Sequence, residues 1–466
     1  MRIAIFSTCP GGDFAAGSYH GLMAGYCLAR RGHNVYFVTD HRPDFDADLR
    51  PISPENPVTI VLTKDFEVFS DLRFDHVIVA SQKVQDRRVC MNAIRIAEYN
   101  QAALSFFCFD TADRSDDFTS PGPLAIDWSA WHLPVSRGAL ILCGTEESQR
   151  DTQEHFPLAH PETAYAAWQP PINQTARAAA QLSGPEGDIL IFARPMGGLT
   201  GADVIEDLLV PDLKDYRFVI VIDDPRGAEA YCARLQDRAA QTGIQILFRP
   251  GLSDVERFEA LDRASALVVP RAIEGPGYPL IEAFATNTPC IAYDLPGLRL
   301  HCGETVRYVA PGDAAALRRE LISALQDPPP PSAEREALLL RCDIDLRAKA
   351  LEDVLEAYRQ QRSIRRTPSA KALGKLRADT TTPEQIRLGD RLVTHFMVST
   401  AHRISAAVFS GERSANCHVV PAFAVNGAIL HHVLIETTLH DEERAPCMVC
   451  FPAGARRRRI GQPAAL

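Results

Sequence analysis

Short apolar runs alternate with longer segments of helical spacing from Arg2 to Tyr293, and the alternation comes in two successive series. A chain patterned this way has few options. Strands separated by helices run parallel, and the helices cover both faces of the sheet. The first series opens with the run Arg2–Ser7 and a turn at Cys9-Pro10-Gly11-Gly12-Asp13. Phe14–Arg31 follows with Leu22, Tyr26 and Ala29 on one helical face, Gly32 ends it, and Asn34–Thr39 is the second strand. Further strands are expected at Val58–Leu62, Val77–Ala80, Leu104–Phe109 and Leu140–Cys143. The second series starts near Asp188, with strands at Ile189–Ala193, Phe218–Ile222, Ile246–Phe248, Ala266–Val269 and Cys290–Tyr293. Gln169-Pro170-Pro171-Ile172-Asn173 and Ser183-Gly184-Pro185 punctuate the two. The expectation is an α/β protein of two doubly wound units. The carboxyl ends of their strands leave a cleft, where such sheets bind ligands.

The remainder is organised differently. Asp327-Pro328-Pro329-Pro330-Pro331-Ser332 is a stiff extended break. Ala333–Gln361 is charged and helical, and a further helical segment is expected near Pro383–Val408. The resulting units are 1–165, 166–332, a helical segment 333–362 and an extension 363–466 of unassigned fold.

Charge and apolar content narrow the function classes. From Ser363 onward there are 14 Lys/Arg against 8 Asp/Glu, so the preceding body holds −16 of the net −10. An acidic body argues against nucleic acid as a partner. The basic tail reads as a solvated end, with peripheral contact to an anionic membrane surface as the second reading. No apolar run reaches the roughly 18 residues of a membrane span. The N-terminus reads directly as a strand with no signal-peptide core, so a cytoplasmic setting is expected. Most of the twelve cysteines, including Cys27, Cys90, Cys108, Cys143, Cys232 and Cys290, lie in apolar segments and read as reduced core residues. Cys417-His418, His431-His432, His440 and Cys447-x2-Cys450 match no common zinc spacing.

The segment richest in chemistry is Pro270-Arg271-Ala272-Ile273-Glu274-Gly275-Pro276-Gly277-Tyr278-Pro279-Leu280-Ile281-Glu282-Ala283-Phe284, between a strand and a helix. Gly275 and Gly277 allow close backbone approach to a ligand, and Pro279 suits a first helical turn. Amides around Tyr278 to Ile281 then stand at a helix N-terminus, unpaired and aimed at an anion such as a diphosphate. Glu274 and Glu282 flank that cradle and suit the hydroxyls of a sugar and of a ribose.

These residues resemble the Glu-x7-Glu motif of the family 4 retaining glycosyltransferases, with Glu274 and Glu282 at the matching spacing. The resemblance also takes in Pro10-Gly11-Gly12, Arg31-Gly32-His33-Asn34-Val35, Phe192-Ala193-Arg194, Pro250-Gly251-Leu252-Ser253-Asp254 and Val309-Ala310-Pro311-Gly312-Asp313, about residues 1–360. It implies a GT-B fold: two Rossmann-like domains facing a cleft, the second holding a nucleotide diphosphate sugar donor, with 333–362 packing back across the pair. It implies transfer to an acceptor (glycan, lipid-linked or small molecule) with retention of configuration and without metal or other cofactor.

In that reading Glu274 meets the donor sugar and Arg194 neutralises the diphosphate, as the catalytic pair. Glu282 binds the ribose, while Gly275, Gly277, Tyr278, Leu280, Gly12 and Arg271 complete the donor site. The sequence departs from the family twice. The phosphate-binding lysine has no counterpart in Gly197-Gly198-Leu199-Thr200-Gly201, leaving Arg271 or Arg249 to replace it. Phe109-Asp110 stands where the family places a histidine before an aspartate. Those departures define an alternative, a degenerate protein that binds a sugar nucleotide or a partner without transfer. A dinucleotide-binding oxidoreductase is disfavoured, because Cys9–Gly17 is not G-x-G-x-x-G.

Overall fold

The computed structural model describes residues 1–14, 16–63, 72–80, 87–108, 138–155, 163–193, 202–222, 228–271, 277–328, 330 and 332–365. In the C-terminal stretch it describes 384–388, 391–400, 404–410, 413–425, 428–438 and 447–452. Seven strands form the first sheet: β1 (Arg2–Phe6), β2 (Asn34–Thr39), β3 (Thr59–Leu62), β4 (His76–Val79), β5 (Ala103–Cys108), β6 (Leu140–Cys143) and β7 (Ala164–Ala167). They run parallel in the order β3-β2-β1-β4-β5-β6-β7. The second sheet is built alike from β8 (Asp188–Ala193), β9 (Arg217–Ile222), β10 (Gln245–Pro250), β11 (Ala264–Val269), β12 (Cys290–Tyr293) and β13 (Arg307–Val309). Its order, β10-β9-β8-β11-β12-β13, repeats that of the first. Strands β4, β5, β6, β8 and β12 are buried along their whole length, as continuous apolar runs covered on both faces require.

In each sheet the order reverses beside the first strand, between β1 and β4 and between β8 and β11. That reversal opens the crevice at the carboxyl ends where this architecture binds ligands. The helix after β1, Ala16–Arg30, lies close enough on the sheet that a Cβ at Gly21 would stand 2.4 Å from the Ala80 Cβ. Only glycine fits there.

The chain passes between the units through Trp168–Asn173 and returns through helices Ala333–Arg341 and Ile344–Arg365. The returning helix shows Ile344, Ala348, Leu351, Leu355 and Tyr358 to the first unit's core, a 4-3-4-3 spacing that makes one helical face. Ion pairs flank the seam, Arg30 to Asp345 at 2.6 Å and Arg31 to Glu352 at 2.8 Å. These partly exposed pairs fix register more than they stabilise.

The helix expected over Pro383–Val408 is corrected. Those residues enter β14 (Glu384–Leu388), β15 (Arg391–Thr400) and β16 (Ile404–Ser410). With β17 (Arg413–Val425), β18 (Ala428–Thr438) and β19 (Cys447–Pro452) they make an antiparallel sheet in the order β14-β15-β18-β17-β16-β19. Val393, Thr394, Phe396, Val398 and Thr400 give β15 the β-branched and aromatic content that favours a strand. His431 and His432 lie on β18 and Cys447 and Cys450 on β19, with two strands between. That is roughly 14 Å of sheet, too far for one metal centre.

Because the two parallel sheets carry the ligand crevice without this third sheet, removing residues 366–466 is expected to leave nucleotide binding unchanged. Calorimetry on the truncated protein checks this. A truncation that folds but no longer binds would make the third sheet part of the site.

Candidate active site

Strands β8 and β11 are adjacent and parallel, with Leu190 opposite Leu267 and Ile191 opposite Val268. They end at Ala193 and Val269, so the two segments leaving them start from one edge at the crevice. Arg194, Glu274 and Gly275 belong to those segments and lie outside the described residues. Arg271, two residues beyond β11, is half-buried at that edge. Arg249 sits on β10 and forms an ion pair with Glu256 at 3.3 Å.

The helix Tyr278–Ala285 starts at Gly277, whose φ of 73° and ψ of 40° are left-handed. A Cβ there would stand 2.7 Å from Leu298, so glycine is demanded by both conformation and space. This turn points the Gly277 carbonyl into the helix, where it accepts the amides of Leu280 (2.9 Å) and Ile281 (3.1 Å). The expected row of unpaired amides is therefore corrected. Pro279 has no N–H, Leu280 and Ile281 are paired, and the Tyr278 amide is what the first turn can offer an anion. Leu280 is fully buried, and its side chain belongs to the second unit's core.

Tyr278 itself spans the seam. Its hydroxyl donates to the Pro170 carbonyl at 2.8 Å, and its ring lies 4.7 Å from the His20 ring on the first unit. Gly12 is also structurally constrained: at φ 89°, a Cβ would meet the Arg42 carbonyl oxygen at 2.8 Å and Asp44 at 2.9 Å. The loop is pinned by Asp44 N–H to Gly12 O at 3.0 Å and Cys9 N–H to the Asp40 carboxylate at 2.6 Å.

Glu282 is 6% exposed, and its carboxylate forms an ion pair with the Arg257 guanidinium at 3.0 Å. Arg257 also donates to Asp254 at 2.7 Å. Both stand on helix Asp254–Arg263, which is started by a reciprocal cap between Ser253 and Glu256. Asp254 accepts from Tyr19 Oη (2.5 Å) and Asn173 Nδ2 (2.6 Å), and its own amide donates to Asp48 at 3.2 Å. Tyr19 and Asp48 come from the first unit, so one buried polar cluster joins both units at their seam.

The electrostatics follow from one cation among three carboxylates. Burial pushes the Glu282 carboxyl up to about 7; Arg257 opposes that shift and Asp254 adds to it. Asp48 is raised by burial and then by Asp254. Burial works against the Arg257 charge, but Glu282 and Asp254 outweigh it and keep the guanidinium protonated. His20, pushed down to about 4 by burial and then by Arg257, is neutral at pH 7.

Sequence reasoning named Glu282, Gly277 and Tyr278 here but missed Tyr19, Asp48, Asn173 and Arg257. The one available signal was Asp254 and Arg257 three apart, a spacing that places two side chains on one helix face.

Residues 203–338 match the family described as glycosyl transferases group 1. The D-inositol 3-phosphate glycosyltransferase of Jonesia denitrificans is 28% identical over 183 residues, 35% of this chain and 43% of that protein. Its counterpart in Streptomyces coelicolor is 31% identical over 168 residues, 34% of this chain and 37% of that protein. The chain thus spans less than half the length of these curated relatives. Two solved structures share the fold. HepE of Anabaena, in complex with UDP and glucose, has a TM-score of 0.57 at 14% identity, covering 77% of this chain and all of that one. Sucrose-phosphate synthase from Thermosynechococcus elongatus has a TM-score of 0.57 at 16% identity, covering 78% and 100%. Paired parallel sheets of one repeated order, meeting at a shared crevice, define a GT-B protein. The second unit is thus similar to the glycosyl transferases group 1 over residues 203–338, and the two sheets together share the fold of these GT-B structures.

Proposed function

We propose that the protein transfers a sugar from a nucleoside diphosphate sugar to an acceptor hydroxyl with retention of configuration. The observation that carries this reading is buried Glu282, on the helix Tyr278–Ala285 that follows β11, the strand beside β8 at the reversal point of the second sheet. HepE was captured with UDP and glucose, which supports a nucleotide sugar as donor. In this reading Glu282 accepts hydrogen bonds from the ribose, while Tyr278 N–H and the arginines Arg194 and Arg271 take up charge on the diphosphate. Glu274 meets the donor sugar. The acceptor oxygen attacks the anomeric carbon on the face the diphosphate leaves; the C–O bond to phosphate breaks, and the leaving phosphate oxygen takes the acceptor's proton. Such a reaction asks for positioning and charge stabilisation more than for a protein base.

No helix among the described residues is long and apolar enough to cross a membrane, and the nine cysteines from Cys9 to Cys342 are free thiols. The thiols support the proposal of a cytoplasmic enzyme. The lysine absent from 197–201 favours the second reading, a nucleotide-sugar binder without transfer. Release of nucleoside diphosphate from a donor sugar by the purified protein separates the two.

Nucleoside diphosphates are expected to bind in the presence of EDTA, because the cations proposed for the phosphates are arginines. A thermal-shift panel of UDP, GDP, ADP and their sugars checks this, since a ligand that binds only the native state raises the melting temperature. Binding that appears only with Mg²⁺ or Mn²⁺ would contradict the arginine cradle.

A further inference from the structure

We propose that Arg257 is the positioning residue of the nucleotide site, holding the Glu282 carboxylate ionised and oriented for the ribose, and that Asp254 ties this arrangement to the opposite unit through Tyr19. The inference rests on the reading of Glu282 as the ribose-binding carboxylate. Its geometric basis is independent of that reading. Arg257 is the hub of the polar cluster at the seam, 3.0 Å from Glu282 and 2.7 Å from Asp254, with its guanidinium 6.0 Å from the Tyr19 ring centre. Its side chain is 15% exposed and that of Glu282 is 8% exposed, so solvent screens neither.

The groups facing Glu282 come from every element packed around it. Helix Asp254–Arg263 contributes Asp254 and Arg257, helix Ala16–Arg30 contributes Tyr19 and neutral His20, Asp48 backs Asp254, and Tyr278 stands one turn earlier on the same helix. Arg257 is the cation among them that lowers the Glu282 pKa, and Asp254 raises it. A neutral carboxyl keeps one strong acceptor oxygen instead of two, and a hydrogen bond to a charged acceptor is about twice as strong as a neutral one. Ribose binding at neutral pH therefore depends on Arg257 without Arg257 touching the ligand. Tyr19 and Asn173 hold Asp254 from across the seam, so Arg257 is aimed at Glu282 only when the two units are in contact.

The test is calorimetric titration of UDP-glucose, with GDP-mannose in parallel, from about pH 6 to pH 9. The phosphates of both probes do not titrate in that range. Wild type, Arg257→Met and Asp254→Asn are compared. The wild-type affinity is expected to rise through a midpoint near 7, where the carboxyl ionises. Arg257→Met should move that midpoint up by a pH unit or more and weaken binding about tenfold at neutral pH, one unit being a factor of ten, with recovery toward pH 9. Asp254→Asn should move the midpoint down. Opposite shifts on removing the two charges are the signature of an electrostatic role, because a purely structural one weakens binding alike at every pH.

Unchanged midpoints in both variants, or shifts of the same sign, overturn the inference. If Arg257→Met does not fold, the direction of the Asp254→Asn shift decides. A wild type that binds neither probe at any pH contradicts the nucleotide-site reading instead.

Discussion

Glu282→Ala is expected to weaken nucleotide binding by ten- to a hundredfold and to destabilise the fold as well. The binding loss follows from removing charged acceptors for ribose hydroxyls, each such bond being worth ~1.5–3 kcal/mol. Those hydroxyls are bound equally in ground and transition states, so the loss appears in KM with kcat little changed. The stability loss follows from burial. Arg257 loses one of two buried partners, and breaking a buried pair costs about 3 kcal/mol. The pH dependence has a definite sign. The folded carboxyl titrates above the ordinary 4.5, so its stabilising contribution is complete below that value and is lost as pH rises through about 7. Glu282→Ala should remove that slope. Glu274→Ala should instead lower kcat, because contacts to the donor sugar strengthen as its bond breaks. Steady-state kinetics and denaturant titrations of both variants check the assignment. Two variants with wild-type affinity and rate would remove the basis for placing the active site at this motif.

Trp168→Ala has the largest expected effect on stability alone. Trp168 is 1% exposed where the chain leaves β7, its ring 5.4 Å from the Phe107 ring, and its Nε1 donates to the Arg347 carbonyl at 2.9 Å. One residue thus fills the first core and fastens the returning helix Ile344–Arg365 to the crossing segment. Truncation should cost ~3–5 kcal/mol, the range for emptying a buried aromatic site. Trp168→Phe keeps most of the volume but loses the Nε1 bond to the Arg347 carbonyl, for about 1 kcal/mol. The denaturation midpoint measures both. A Trp168→Ala protein as stable as wild type would show that the crossing segment does not bind the returning helix.

The parallel sheets were legible because their strands are short apolar runs with clear ends. The expected bounds of Asn34–Thr39, Leu140–Cys143 and Cys290–Tyr293 coincide with β2, β6 and β12. β7 and β13 were not read. Ala164–Ala167 and Arg307–Val309 are short outer strands of four and three residues, half-buried except at Val309, so neither stands out as a core-spanning run. The C-terminal sheet was misread as partly helical, because its strands must be recognised by pairing across a long antiparallel ladder rather than by a core-spanning run. The motif at Glu274–Glu282 could be read because its glycines and prolines have local meaning. What Glu282 touches could not. The Arg257 contact depends on a neighbouring helix, and the Tyr19 contact to Asp254 bridges residues 235 positions apart. The pairing of Leu280 and Ile281 amides with Gly277 likewise depends on the left-handed turn of one residue, which sequence permits but does not demand.

The most direct test of the central claim is transfer itself. Purified protein is incubated in EDTA with UDP-glucose, GDP-mannose and other radiolabelled nucleotide sugars, with and without glycan and lipid acceptor extracts, and released nucleoside diphosphate is quantified beside the anomeric configuration of any product by NMR. The expected result is nucleoside diphosphate release from one donor class, stimulated by acceptor, with retained configuration and loss of release in Glu274→Ala. A folded wild-type protein that binds a nucleotide sugar yet releases no nucleoside diphosphate from it would contradict the transferase reading and leave the protein as a binder.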